Sequence, residues 1–175
     1  MIIREVTPSD IPSLAKLAQK TYADTFGLTM SIEELLDALK TRSEDYFRSV
    51  MGKDTILVAE DGDTVIGFIQ FGQVTYDSIQ TTKNDIELHK IYVETSYQGK
   101  GIGKKLMETM FTHNRLINIE NVYLDVFEKN EKAIRLYEAF GFQVIGKIPF
   151  KVKEEILGYD LLMKRKNTVQ PSKSQ

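Results

Sequence analysis

Gln98-Gly99-Lys100-Gly101-Ile102-Gly103-Lys104 is the stretch from which the fold can be read. Before it, residues 85–93 (Asp-Ile-Glu-Leu-His-Lys-Ile-Tyr-Val) read as a strand. After it, Ile102, Leu106, Met107, Met110 and Phe111 recur at helical spacing. A glycine-rich turn between a strand and a helix gathers unpaired N–H groups at the positive end of the helix dipole, which makes an anion site. Glycine lets a phosphate approach the backbone closely, and Lys100, Lys104 and Lys105 add positive charge. A plain tight turn is the competing reading, but three alternating glycines exceed what a turn needs. Two common phosphate motifs do not fit. A Walker loop requires four residues between its glycines and a Ser or Thr after the Lys, whereas here three residues separate Gly99 from Gly103 and Lys105 takes the hydroxyl position. A dinucleotide fingerprint requires GxGxxG after the first strand of a parallel unit, whereas this is GxGxG late in the chain.

Working outward, residues 2–6 are β-prone and end at Thr7-Pro8-Ser9-Asp10, a turn and helix start. Ile11, Leu14, Leu17, Ala18 and Tyr22 predict a first helix, and the Ser31/Glu34 capping box a second, which residues 46–51 extend. Residues 55–60 and 64–72 are strand-like runs joined by Asp61-Gly62-Asp63, a hairpin signal. Residues 100–115 predict a helix, 121–127 a strand, 131–140 a helix, and 142–147 and 157–164 the last strands. The order β-α-α-β-β-β-α-β-α-β-β is neither doubly wound nor a run of hairpins. It predicts an α/β fold with one mixed sheet flanked by helices.

The 175 residues, 42% apolar and 27% charged, suit a single globular domain over residues 1–166, with a polar, disordered tail at 167–175. No apolar run approaches the roughly 18–20 residues that span a bilayer, and the N-terminus does not read as a signal peptide. With no cysteine there is no disulfide framework or thiolate metal site; no metal is expected, and the pattern fits a cytoplasmic protein. Residues 1–90 carry 9 Lys/Arg against 15 Asp/Glu, and residues 91–175 carry 14 against 10. A basic half suits a polyanionic ligand and an acidic half a cationic one, although such differences also arise by chance among solvated surface charges. The basic residues gather at the glycine-rich turn rather than along an aromatic-studded face, so nucleic-acid binding is not expected.

Ile91-Tyr92-Val93, four residues, then Gln98-Gly99-Lys100-Gly101-Ile102-Gly103 resembles the Q/R-x-x-G-x-G/A signature of the GNAT superfamily of acetyl-CoA-dependent N-acetyltransferases. Asn130-Glu131-Lys132-Ala133-Ile134-Arg135-Leu136-Tyr137, running on to Gly141-Phe142, resembles the family's second signature, N-x-x-A-x-x-x-Y-x-x-x-G-F. The resemblance covers residues 1–165 in the family's element order. It implies that the strand at 85–93 splays from that at 121–127 and that the pantetheine arm of acetyl-CoA lies in the gap. That arm would bond to backbone at Ile91 and Val93, and the diphosphate would sit on residues 99–104. The cofactor-binding set so implied is Ile91, Tyr92, Val93, Gln98, Gly99, Lys100, Gly101, Ile102, Gly103, Lys104, Asn130, Lys132, Ala133 and Tyr137. Asn130 also reads as a helix N-cap, and the two roles coexist.

Acetyl transfer to an amine needs a neutral amine, a polarised carbonyl, alignment, and a proton for the departing thiolate. Tyr137 matches the family's thiolate-protonating tyrosine, although Ile134, Tyr137 and Phe140 also read as a core stripe. Glu87 is the candidate base, against an ordinary solvent-facing carboxylate; His89 shares its nominal face and is a rival, while His113 reads as surface. Tyr22, Asp24 and Phe26 occupy the loop that builds the acceptor site in the family. With residues 124–130 and 160–164 they resemble the PaiA-type branch, which implies a polyamine such as spermidine or spermine as the small-molecule amine. Asp24 and Glu87 would suit such a polycation, and Asp24 equally suits a loop brace. Acetylation of a protein N-terminus or lysine, or a non-catalytic acetyl-CoA-binding module, are the alternatives. Residues 147–166 suit either a homodimer contact or an edge strand.

Overall fold

A computed structural model of the chain describes residues 1–28, 30–152 and 155–167. Contacts divide it into two compact units: Met1–Phe71 with Lys90–Met110, and Gly72–His89 with the chain from Phe111 onward.

The first unit holds β1 (Ile2–Glu5), α1 (Ile11–Phe26), α2 (Ile32–Lys40), α3 (Glu44–Val50), β2 (Thr55–Asp61), most of β3 (Thr64–Gly72), the end of β4 (Asp85–Val93) and most of α4 (Ile102–Thr112). β1 and β2 pair antiparallel from Ile2↔Glu60 to Glu5↔Leu57, and β2 and β3 form the hairpin signalled by Asp61-Gly62-Asp63. Ile11, Leu14, Ala18, Phe47, Val58 and Phe68 are fully buried together, so the periodic face of α1 packs against the strands as its spacing requires. Phe47 and Phe68 meet edge to face at 5.6 Å, and Phe68 meets Tyr92 at 5.4 Å.

The Ser31/Glu34 capping box forms, with the Glu34 carboxylate accepting from the Ser31 N–H at 2.8 Å. α3 does not extend α2. Ser43 starts it as a separate helix, its hydroxyl accepting from the Tyr46 N–H at 3.2 Å. The observed order therefore carries one helix more than the sequence pattern predicts.

An ion pair pins β1 to the turn before α1. Arg4 donates to Asp10 at 2.7 and 2.9 Å, and the Thr7 N–H and hydroxyl donate to the same carboxylate. The Arg4 bonds and those from Thr7 outweigh burial and hold the Asp10 carboxyl well below the usual carboxylate range. A group depressed in the folded state stabilises above its unfolded pKa and loses that contribution as pH falls. The melting temperature is thus expected to drop between pH 5 and 3. Asp10→Asn removes part of that slope and about 1–2 kcal/mol at neutral pH, measured by calorimetry at each pH.

The second unit holds the start of β4, β5 (Asn121–Phe127), α5 (Glu131–Ala139), β6 (Gln143–Val152) and β7 (Glu155–Lys166), with hydrogen-bonded neighbours in the order β4-β5-β7-β6. The fold is thus mixed α/β, as expected, and the strand pairs are mostly antiparallel. The β4–β5 pair is parallel, and its ladder runs from Asp85↔Asn121 to Glu87↔Tyr123. Beyond Tyr123, β5 continues to Phe127 paired with β7, ending at Phe127↔Asp160. β6 and β7 are longer than their apolar cores suggest, and β7 has β5 on one side and β6 on the other. Asn167 is anchored rather than part of a loose tail: its N–H donates to the Glu120 carbonyl at 2.8 Å and its side chain to Leu116 and Ile119. The rest of the expected tail, from residue 168, lies outside the described residues.

Candidate active site

In the first unit, the glycine-rich turn has the conformation its composition suggests. Gly99 and Gly101 have φ of +77° and +78°, a region that L side chains enter only with strain. A Cβ built at either would meet nothing within 4 Å, so the glycines serve the backbone path rather than packing. The Lys105 N–H donates to the Gly101 carbonyl at 3.0 Å and closes the first turn of α4. The amides of Ile102, Gly103 and Lys104 therefore precede the first intrahelical bond and stand at the positive end of the helix. Lys100 and Lys104 are exposed beside them, Ile102 is buried beneath, and the Lys100 ammonium lies 4.6 Å from the Tyr97 ring centre. Gln98 closes a strap: its amide donates to the Val93 carbonyl at 3.1 Å and ties the turn to the end of β4. Ile91, Tyr92 and Val93 are half-buried at that end.

Of the four residues expected to touch substrate, Tyr22, Asp24 and Phe26 lie in this unit and have distinct surroundings. Tyr22, 9% exposed, packs on Phe26 with ring centres 4.8 Å apart. The Arg42 guanidinium lies 3.6 Å from the Tyr22 ring centre and donates to the Tyr92 hydroxyl at 3.0 Å. Sequence pattern gives no sign of Arg42, which follows the end of α2. Asp24 is engaged as a brace. Its carboxylate pairs with Lys20 at 2.9 Å, which lowers its pKa, and it accepts from the Thr95 hydroxyl at 3.3 Å. Lys20 also bonds Glu94 at 2.9 Å.

In the second unit, Glu87 is buried, not solvent-facing, with 4% exposure. Its Oε2 accepts from the Thr75 N–H at 2.7 Å and the Thr75 hydroxyl at 2.9 Å, while Oε1 lies 3.0 Å from His89 Nδ1. Burial alone would push the carboxyl up, but the His89 and Thr75 bonds outweigh it and hold it below the ordinary glutamate range. Tyr76 donates to Asp125 at 2.7 Å and faces Glu87. Burial, then the Asp125 and Glu87 charges, push its hydroxyl far above the ordinary tyrosine range, so it stays protonated. Across from Phe127, Asp160 is pushed up to about 6 by burial and by the neighbouring Asp125 and Glu128. Thr75 and Tyr76 lie in a stretch with no periodicity, which is why pattern reading passes over them.

Asn130 caps α5, its Oδ1 accepting from the Ala133 N–H at 3.3 Å. Tyr137 is 7% exposed and meets Phe142 at 6.0 Å, so it has the burial of a core aromatic while carrying the signature position. Ala133 is half-buried on the same helix and Lys132 is exposed.

The sequence profile of the Acetyltransferase (GNAT) family matches residues 14–142. A spermine/spermidine N(1)-acetyltransferase of Bacillus subtilis (strain 168) is 35% identical over 91 residues, 51% of this chain and 59% of that protein. This chain thus spans about three fifths of the length of the Bacillus relatives it matches. An uncharacterized N-acetyltransferase from Lactobacillus delbrueckii subsp. lactis is 29% identical over 143 residues, 79% of this chain and 82% of that protein. Among solved structures, the PaiA N-acetyltransferase of Thermoplasma acidophilum in complex with coenzyme A shares the fold. Its TM-score is 0.76 at 23% identity, over 94% of this chain and 98% of that one. The profile match takes in both the turn at residues 98–104 and the helix from Asn130 to Tyr137, and the chain belongs to the Acetyltransferase (GNAT) family.

Proposed function

We propose that the chain transfers the acetyl group of acetyl-CoA to a primary amine, and that the amine is a polyamine of the spermidine or spermine type. The observation that carries the transfer is the turn at residues 99–104. Its two glycines at positive φ, open Cβ directions, helix-start amides and flanking lysines suit a diphosphate in charge and in approach. Acetyl-CoA supplies an activated acetyl group as a thioester. The chain's own residues bind, orient and move protons: the turn holds the diphosphate, and Asn130 orders the start of α5. Tyr137 gives its proton to the departing sulfur, and the buried Glu87 group serves the amine.

Polyamine as the acceptor is supported by the Bacillus relatives and by Asp125, Glu128 and Asp160. These lie close enough to raise Asp160, and a cation among them would relieve that repulsion. Arg42 favours a second reading. A guanidinium against Tyr22 and Tyr92 repels a polycation and attracts a carboxylate, as an amino acid or a peptide terminus carries. An N-alpha-acetyltransferase RimI of Mycobacterium tuberculosis is 33% identical over 88 residues. The test is release of CoA thiol with spermidine, spermine, an L-amino acid and an N-terminal alanine peptide side by side. The polyamine reading expects kcat/KM for spermidine or spermine at least about tenfold above the amino acid and the peptide. Preference for the amino acid or peptide contradicts it in favour of the Arg42 reading.

A further inference from the structure

The second unit carries a cleft of about 710 Å³ that takes no part in the chemistry above. The chain leaving α5 for β6 lines one side, with Phe140 and Ile145, and the end of β7 lines the other, with Lys164, Arg165 and Lys166. β6 begins at Gln143, opposite Lys164, so Arg165 and Lys166 overhang the neighbouring strand. Arg165 is the unusual member. Its guanidinium carbon stands 3.7 Å from the Phe111 ring centre, and Nη1 is shielded from solvent with no hydrogen-bond partner among the described residues. Burial is what acts on its pKa, and lowers it. A guanidinium stays charged and carries five N–H donors, so one that is desolvated without an acceptor is costly until an anion meets it. Capping of α5 does not account for it. The Gly141 and Phe142 N–H groups already close that helix end, on the Glu138 and Tyr137 carbonyls at 2.9 and 3.1 Å. No carboxylate stands among the described residues that line the cleft. Lys164 turns to the other face by alternation, over the Tyr123 ring at 5.3 Å, and with the exposed Lys166 it adds positive field rather than a partner.

We propose that this cleft binds a small organic anion, whose carboxylate or phosphate head meets the Arg165 guanidinium and whose apolar body lies along Phe140 and Ile145. Two parallel N–H bonds from a guanidinium match either oxyanion. Gly141 keeps the approach open: the atom nearest to a Cβ built there is Arg165 Nε, at 3.9 Å. Ile145, 49% exposed, supplies an apolar wall for the body of the ligand. The site is distinct from the acidic group at Asp160. β7 pairs with β5 from Lys166↔Asn121 to Asp160↔Phe127, a ladder of about 20 Å with the cleft at one end and Asp160 at the other.

The test is NMR titration of the full nitrogen-15-labelled chain with phenyl phosphate, benzoate and inorganic phosphate in turn, read at backbone amides and arginine Nε–H groups. Phenyl phosphate or benzoate is expected to give saturable shifts at Gly141, Gln143, Ile145 and Arg165, with a Kd on the order of 1 mM or tighter. The tighter of the two identifies the head group. Inorganic phosphate should bind about tenfold more weakly than that ligand, because it lacks the apolar body. Shifts at Gly99, Gly101 and Lys104 report the other anion seat and are read separately. Arg165→Gln is expected to weaken binding at the cleft about 10- to 100-fold. Its melting temperature should hold or rise, because an uncompensated charge has been removed. Ile145→Glu, at an exposed position, places a carboxylate in the cleft and should abolish the shifts with Arg165 intact. Shifts confined to residues 98–104, shifts at the cleft that survive both variants, or no saturable shift with any of the three anions overturn the proposal. A fall in melting temperature in Arg165→Gln, with binding unchanged in Ile145→Glu, also overturns it and makes Arg165 a structural cation.

Discussion

Tyr137→Phe is expected to lower kcat by about 10²-fold, with the melting temperature nearly unchanged. The hydroxyl is the only group removed, and the ring that meets Phe142 at 6.0 Å remains. A thiolate leaving without a positioned acid must wait for solvent, and loss of a general acid typically costs 10²–10⁴-fold. The effect should fall on kcat rather than on KM for acetyl-CoA, because the proton moves only as the carbon–sulfur bond breaks. Steady-state thiol release read against thermal unfolding separates the two roles that the sequence leaves open for this residue. Wild-type turnover would make Tyr137 a core aromatic. A fall in melting temperature matching the loss of activity would mean that the hydroxyl serves the fold.

The second large effect is expected at Gly101→Val. At φ of +78° a β-branched side chain is strained, costing about 1–2 kcal/mol of stability. Space is not the difficulty, since nothing lies within 4 Å of the new Cβ direction. The side chain instead occupies the approach to the helix-start amides, and loss of one charge-assisted hydrogen bond, about 1.5–3 kcal/mol, weakens acetyl-CoA roughly 10- to 100-fold. Gly52→Val supplies the control. Gly52 also has positive φ, +81°, with nothing within 4 Å, and it lies outside the turn. It should show a similar loss of stability with acetyl-CoA affinity unchanged. Equal weakening in both variants would trace the effect to strain and not to a phosphate seat.

Elements whose signals are local were legible in the chain. The Ser31/Glu34 box, the Asp61-Gly62-Asp63 hairpin and the span of β5 all stand as the spacing predicts, because capping, turn chemistry and periodicity act over a few residues. The separate start of α3 was not legible. Tyr46 and Phe47 continue an apolar pattern, and the break depends on the Ser43 hydroxyl capping a new helix. The extra length of β6 and β7 came from their pairing with each other, which no local run of apolar residues announces. The glycine-rich turn and the Asn130 cap follow directly from residue type. The surroundings of Glu87 and Asp24 do not. Alternation put Glu87 on a face but could not show that Thr75 would close over it, nor that Lys20 would claim Asp24. Such partners meet through the path of the chain, and so does Arg42 against Tyr22 and Tyr92.

The central claim is that residues 99–104 seat the diphosphate of a coenzyme A thioester. Isothermal titration calorimetry of the full chain with acetyl-CoA, and with ATP and NAD separately, tests it most directly. Saturable heat with one acetyl-CoA per chain, weakened in Gly101→Val and absent with NAD, is the predicted result. No heat with acetyl-CoA alongside saturable binding of ATP or NAD would contradict it.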